Sequence, residues 1–214
     1  MGRALRAPRS RTRFVSSQTS PTMGLVVFLK GLNVGGHRSF RPSTVAKRLR
    51  RFEVINVGAA GTFVVRKAVG RLQLRSAIEH LLPFEAEIIM CDGRDILRLA
   101  SWNPFAGKLS SRGLVCFVSV LARRRQVPFS LPHDVPASGR WIVRVLAQQE
   151  RFVVGVHRRE MRAIGHVGQV ERALGGPMTT RSWSTILTLA QLLGRPSDSA
   201  ATAAPTSRLT RGAG

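Results

Sequence analysis
No tyrosine occurs in this chain of 214 residues, and there are only two cysteines, Cys91 and Cys116. Without tyrosine, a nucleic-acid surface built on stacked phenol rings is excluded. Two isolated cysteines with no metal-ligand spacing exclude a disulfide framework and point to a reducing compartment, so the expected location is cytoplasmic. His37, His80, His133, His157 and His166 are scattered, without HExxH or any other paired spacing, so no metal and no cofactor is expected. No apolar run approaches the roughly 18 residues of a membrane span, so no membrane partner is expected. Acids are scarce as well. Eleven Asp+Glu stand against 34 Lys+Arg, giving a formal net charge of +23.

What is present follows from that imbalance. Residues 1–22 hold five arginines and no acid, and residues 194–214 hold three arginines and one aspartate, which leaves +16 of the +23 within 23–193. A field of that size attracts polyanions: nucleic acid, acidic protein or anionic lipid. Only Lys30, Lys47, Lys67 and Lys108 are lysines. Codon usage alone accounts for an Arg-for-Lys swap, but not for the shortage of acids. Residues 1–22 lack the apolar segment of a secretory signal, and their Arg- and Ser-rich composition resembles a transit segment. The simpler expectation is a start at Met23, with 1–22 as a disordered or artefactual basic extension. Residues 194–214, rich in Ala, Ser, Thr and Pro, are expected to be disordered.

The ordered chain is organised around Gly24-Leu-Val-Val-Phe-Leu-Lys-Gly-Leu-Asn-Val-Gly-Gly36. Leu25 to Leu29 is continuously apolar and rich in valine, which predicts a strand buried on both faces. Gly31, Asn33, Gly35 and Gly36 then supply a turn able to point several N–H groups at one anion, with Lys30 beside it. His37 and Arg38 break the phosphate-loop pattern GxxxxGK[ST], and Asn33 breaks GxGxxG, so a tight strand-to-helix connection is the plainer reading.

Arg41-Pro42-Ser43 opens a helix with Val45, Leu49 and Phe52 on its inner side. Lys47, Arg48, Arg50 and Arg51 take the other sides, as a solvated face or one that meets phosphates. Glu53–Val57 and Thr62–Arg66 read as a hairpin across Gly58–Gly61. Arg71–Leu82 reads as a helix with Leu72, Leu74, Ile78, Leu81 and Leu82 on its apolar face, and Glu85–Met90 as a strand. Strand, helix, strand, strand, helix, strand predicts a ferredoxin-like βαββαβ unit over 23–92, with an antiparallel sheet and both helices on one face. A second α+β half over 93–193 is expected to hold a helix at Asp92–Ala100 and a strand at Gly113–Leu121. An irregular segment Ala122–Gly139 and a hairpin of Arg140–Leu146 with Arg151–Val156 follow. A helix around Val167–Leu174 and a long helix Thr179–Leu193, started by its threonine, complete it. The fold class is therefore α+β, as two packed halves.

Four segments in series carry a resemblance: Phe28–Gly36, Asn56–Val65, Asn103-Pro-Phe105 and Thr179-Thr-Arg-Ser-Trp-Ser-Thr185. Together they resemble the bacterial family catalogued as domain of unknown function 1697, over residues 24–193. The resemblance implies two packed α+β halves, the first ferredoxin-like, and supplies no established activity. Many relatives carry Arg at Lys30, Ser-Gly-Asn at Ala60-Gly61-Thr62, and Asn at Ser182 and Ser184. Chemistry resting on those polar groups is therefore weakened here.

Cys91 and Cys116 sit in apolar strand settings, where thiols are inert. Asp92 and Asp95 read as acids at a helix start rather than an acid/base pair. Trp102 and Trp183 are expected as core anchors. Lys30, Asn33, Gly35, Gly36, Gly61, Thr62 and Arg181 form the candidate ligand site, with Arg181 placed in a helix first turn where free N–H groups favour anions. The leading expectation is a binding protein whose basic surface holds nucleic acid or a phosphate-bearing ligand. The alternatives are a structural or oligomeric protein whose motifs only pack, and an enzyme acting on a small anion at the glycine turn.

Overall fold
The computed structural model describes residues 24–30, 41–106 and 113–195. The expected glycine turn, with Asn33, Gly35 and Gly36, lies outside the described residues, as do 1–23 and 196–214. The fold is α+β, with two antiparallel sheets.

The first sheet comprises β1 (Leu25–Lys30), β2 (Val54–Asn56), β3 (Thr62–Val65) and β4 (Glu87–Asp92), in the order β2-β3-β1-β4. Helices α1 (Pro42–Arg48), extended by a 3₁₀ turn Arg50–Phe52, and α2 (Arg71–Glu79) connect its strands. Every neighbouring pair is antiparallel, as the strand–helix–strand–strand–helix–strand order predicts. β1 is central, and its alternation splits cleanly. Val27 and Leu29 face Val45, Leu49, Leu74 and Ile78 of the helical layer. Val26 and Phe28 face the opposite core. That is why the run is apolar without a gap.

The second sheet comprises β5 (Leu114–Leu121), β6 (His133–Val135), β7 (Val143–Gln149), β8 (Phe152–Arg158) and β9 (Met178–Ser182), in the order β6-β7-β8-β5-β9. Leaving out β6, this repeats the order of the first sheet. The registers agree too: Leu25 faces Val65 and Asp92, and Phe117 faces Gly155 and Ser182. Each sheet is followed by a helix, α3 (Gly93–Trp102) and α5 (Trp183–Gly194), carrying the same Ile-Leu-x-Leu-Ala sequence at 96–100 and 186–190. Ile96, Leu99, Ile186 and Leu189 are all buried in a core shared by the inner faces of both sheets. At the entry to α3 the packing is close. A Cβ on Gly93 would meet the Gly24 carbonyl oxygen at 2.7 Å and a Leu193 methyl at 2.8 Å. The outer face of the second sheet is covered by α4 (Ala163–Leu174) and by Val127, Phe129 and Leu131.

Several elements differ from expectation. Thr179–Ser182 is strand, not helix. Thr179 and Thr180 are β-branched and pair with Val120 and Ser119 of β5. The helix begins at Trp183, and its N-cap is Ser182, whose Oγ accepts from the Thr185 N–H at 3.3 Å. α2 ends at Glu79 and Leu72 is 84% exposed; two residues from Leu74, it points away from the Leu74/Ile78 stripe. The segment 122–139 contains β6, held to β7 by the Arg144–Asp134 pair. α4 starts at Ala163, four residues before the expected Val167.

Candidate functional site
Of the expected site residues, the structure brings Gly61, Thr62 and Arg181 together at the seam between the halves, with Lys30 beside them. Arg181 lies on β9, not in a helix turn, and projects between the sheets over the Phe28 ring, 5.6 Å from its centroid. Its side chain is buried, and all five N–H donors are engaged. Nε donates to Thr62 Oγ1 at 2.8 Å. Nη1 donates to Thr179 Oγ1 at 2.6 Å and the Thr180 carbonyl at 2.8 Å. Nη2 donates to the Leu29 carbonyl at 2.9 Å and the Ala60 carbonyl at 2.7 Å. A guanidinium has five such donors and no acceptor, so none is left for an anion. Burial pushes its pKa down to about 10, which leaves it charged at neutral pH. Gly61 holds φ at 65°, a left-handed conformation, and its carbonyl accepts from the Leu29 N–H at 2.8 Å. Lys30 pairs with Glu171 of α4 and lies 3.9 Å from Glu87.

These contacts belong to a wider pattern of docking. Arg151, from β8's turn, donates to the Met90 carbonyl of β4 at 2.9 Å and to the Leu121 and Ala122 carbonyls. Arg66 donates to the Leu192 carbonyl of α5 at 3.0 Å. Three arginines thus cross the seam onto main-chain oxygens, and a share of the positive charge is structural.

Exposed cations without an ion pair among the described residues include Arg41, Lys67, Arg94, Arg123, Arg159, Arg172 and Arg195, scattered along the chain, and one run that is nearly contiguous in sequence. Lys47, Arg48, Arg50 and Arg51 are exposed on α1 and the 3₁₀ turn. None takes part in an ion pair among the described residues, where only Glu53 and Glu85 of the carboxylates are likewise unpaired. Between these cations and α2 lies a cleft of about 470 Å³, lined by Arg48, Leu49, Arg51, Gln73, Ser76, Ala77, His80 and Leu81. The Arg51 guanidinium rests over the Phe52 ring, 4.7 Å from its centroid. His80 Nδ1 donates to the Ser76 carbonyl at 2.7 Å, which fixes the tautomer and leaves Nε2 without a protein partner. The sequence reading missed Gln73, Ser76 and His80. Their signal was the i, i+3, i+7 spacing on α2, a polar stripe beside the apolar one.

Nucleophilic chemistry finds no support at the cysteines. Both are buried; burial pushes the Cys91 thiol up to about 12 and raises that of Cys116. Among the described residues, no three His, Cys, Asp or Glu side chains gather as metal ligands, and no helix is long and apolar enough to cross a membrane.

An α+β protein with two sheets, a seam crossed by arginines and a run of exposed cations on α1 and the 3₁₀ turn is the class that fold and site define. No family model and no curated protein matches the chain. Among solved structures, it is similar to the conserved bacterial protein SP0830 from Streptococcus pneumoniae, at 13% identity and a TM-score of 0.49, covering 79% of this chain and 98% of that one.

Proposed function
We propose that this protein binds a phosphate-bearing polyanion, nucleic acid foremost, on the face formed by α1, the 3₁₀ turn and α2. The observation that carries the reading is the run Lys47, Arg48, Arg50 and Arg51, exposed and, among the described residues, without an ion pair, beside a cleft of mixed apolar and polar lining. Elsewhere in the described chain most carboxylates are matched to a cation, so this face keeps its field. Exposed, unpaired guanidinium groups suit phosphate oxygens through parallel N–H donors. The motif residues Gly61, Thr62 and Arg181 fit the structural alternative better: they dock the halves. Membership of the domain of unknown function 1697 family is part of the same proposal, resting on the four motif segments. Catalysis at the glycine turn is the remaining alternative, and its Asn33, Gly35 and Gly36 lie outside the described residues.

Titrating the full chain with labelled RNA and duplex DNA at two salt concentrations tests the reading. Neutralised phosphates release counterions, so log affinity should fall linearly with log salt. Each phosphate contact removed by substituting Arg48 or Arg51 should lower that slope by about one. Absence of binding at low salt would overturn the proposal.

A further inference from the structure
The cleft beside the cationic run is not built for phosphate alone. Its floor is apolar, from Leu49, Ala77 and Leu81, and its walls carry the Gln73 amide, the Ser76 hydroxyl and His80. We infer that this cleft accepts one unpaired nucleotide of a single-stranded nucleic acid, with its base on the apolar floor and its flanking phosphates on Arg48 and Arg51. This rests on the polyanion reading and names the substrate class of the same site.

Three features argue for it. The volume of about 470 Å³ falls within the roughly 300–1,000 Å³ of small-molecule sites, whereas a duplex backbone tracking the cations would leave the floor wet. A duplex hides its base faces in the stack; a single strand can splay one out. Gln73 offers two donors and an acceptor to a base edge, and His80 Nε2 adds one more polar atom. Among the described residues no Phe or Trp ring lines the cleft, so the base meets aliphatic side chains, guanidinium planes and the His80 imidazole, as single-strand recognition permits. The Arg51 guanidinium that lines the cleft also rests over the Phe52 ring.

The test uses the full chain with three probes: a labelled single-stranded oligonucleotide of mixed sequence, the matching duplex, and inorganic polyphosphate as competitor. Ser76→Phe fills the cleft from an exposed helix position, and Gln73→Ala, also exposed, removes the amide while leaving the space open. The wild type should prefer the single strand. Ser76→Phe should weaken single-strand affinity by about fivefold or more, the low end of the worth of a stacked base, because the platform here is mainly aliphatic and guanidinium. Duplex and polyphosphate should change by less than about twofold, because phosphate contacts are untouched. Gln73→Ala should act in the same direction more weakly. Equal wild-type affinity for single strand and duplex, or equal shifts for all three probes in both variants, overturns the inference and leaves the polyanion reading standing. Failure of all three probes to bind the wild type overturns both.

Discussion

At the scale of single residues, Arg181 is the most heavily hydrogen-bonded side chain among those described. Its five hydrogen bonds end on two threonine hydroxyls and three main-chain carbonyls, and no carboxylate is among its partners. Replacing it with methionine keeps much of the volume and strips those acceptors of their donor, so unfolding free energy should fall by about 3 kcal/mol, as urea denaturation would measure. Polyanion affinity at a temperature where the variant is folded should be unchanged. Loss of binding at unaltered stability would restore Arg181 as a ligand donor. Cys91 yields a second prediction. Burial raises its thiol from the ordinary 9.0 to about 12, so the folded state holds the proton where the unfolded state releases it. Its contribution to stability is complete below pH 9 and declines as pH rises from 9 toward 12. A maleimide reagent at pH 8 should leave Cys91 unlabelled until denaturant is added; labelling of the native protein would contradict the burial. The sequence motifs did place Gly61, Thr62 and Arg181 in one neighbourhood. What they could not convey is where a guanidinium's donors end, because carbonyls from Leu29 and Ala60 are supplied by backbone geometry and leave no trace in residue identity.

At the scale of elements, the second half shows how local chemistry competes. The stripe Trp183, Ile186, Leu187, Ala190 and Leu193 reads correctly as helix, although Leu187 is exposed and Leu189 takes the buried place, and the threonines before it pair with β5 instead of extending it. Ser182 marks the true boundary by capping Thr185. Ser182→Ala should cost about 1 kcal/mol, and Ser182→Asn, an equally good cap, should be near neutral; thermal or urea melts distinguish the two. A large loss in both would mean that the hydroxyl serves Ser184 and Thr185 more than the helix end. The repeat between halves sharpens the reading of α1. In the second sheet the crossover from β5 to β7 is an irregular segment bearing β6, so the sheet order does not require a helix there. The first half fills the same crossover with α1 and its unpaired cations. The strands of the first half were legible because each carries a run of valine, isoleucine or phenylalanine. β6 was not, being only three residues long and set among prolines.

At the scale of the whole molecule, the two halves share one core. Val26, Phe28 and Ile89 pack in the same cluster as Val118, Val154 and Trp183, and Arg66, Arg151 and Arg181 bond across the seam. The described chain should therefore unfold as one unit, with urea transitions by tryptophan emission and by far-ultraviolet circular dichroism coinciding; separated midpoints would mean that the halves fold independently. Net charge was legible from composition, but its division was not. Structure separates arginines that bond to carbonyls across the seam from exposed ones without an ion pair, whose densest run in sequence lies on α1 and the 3₁₀ turn. That division is the central claim, and one measurement tests it most directly: the affinity of Arg48→Glu/Arg51→Glu for a single-stranded oligonucleotide at low salt, alongside its melting temperature. Reversing two charges at the cationic face should weaken binding by at least about tenfold, since each loses an attraction and gains a repulsion near phosphate. The melting temperature should fall by no more than about 4 °C, because both side chains are exposed and make no ion pair, and the Arg51–Phe52 contact is all that is lost. Wild-type affinity in that variant would contradict the account and place the polyanion, if one binds, elsewhere on the chain.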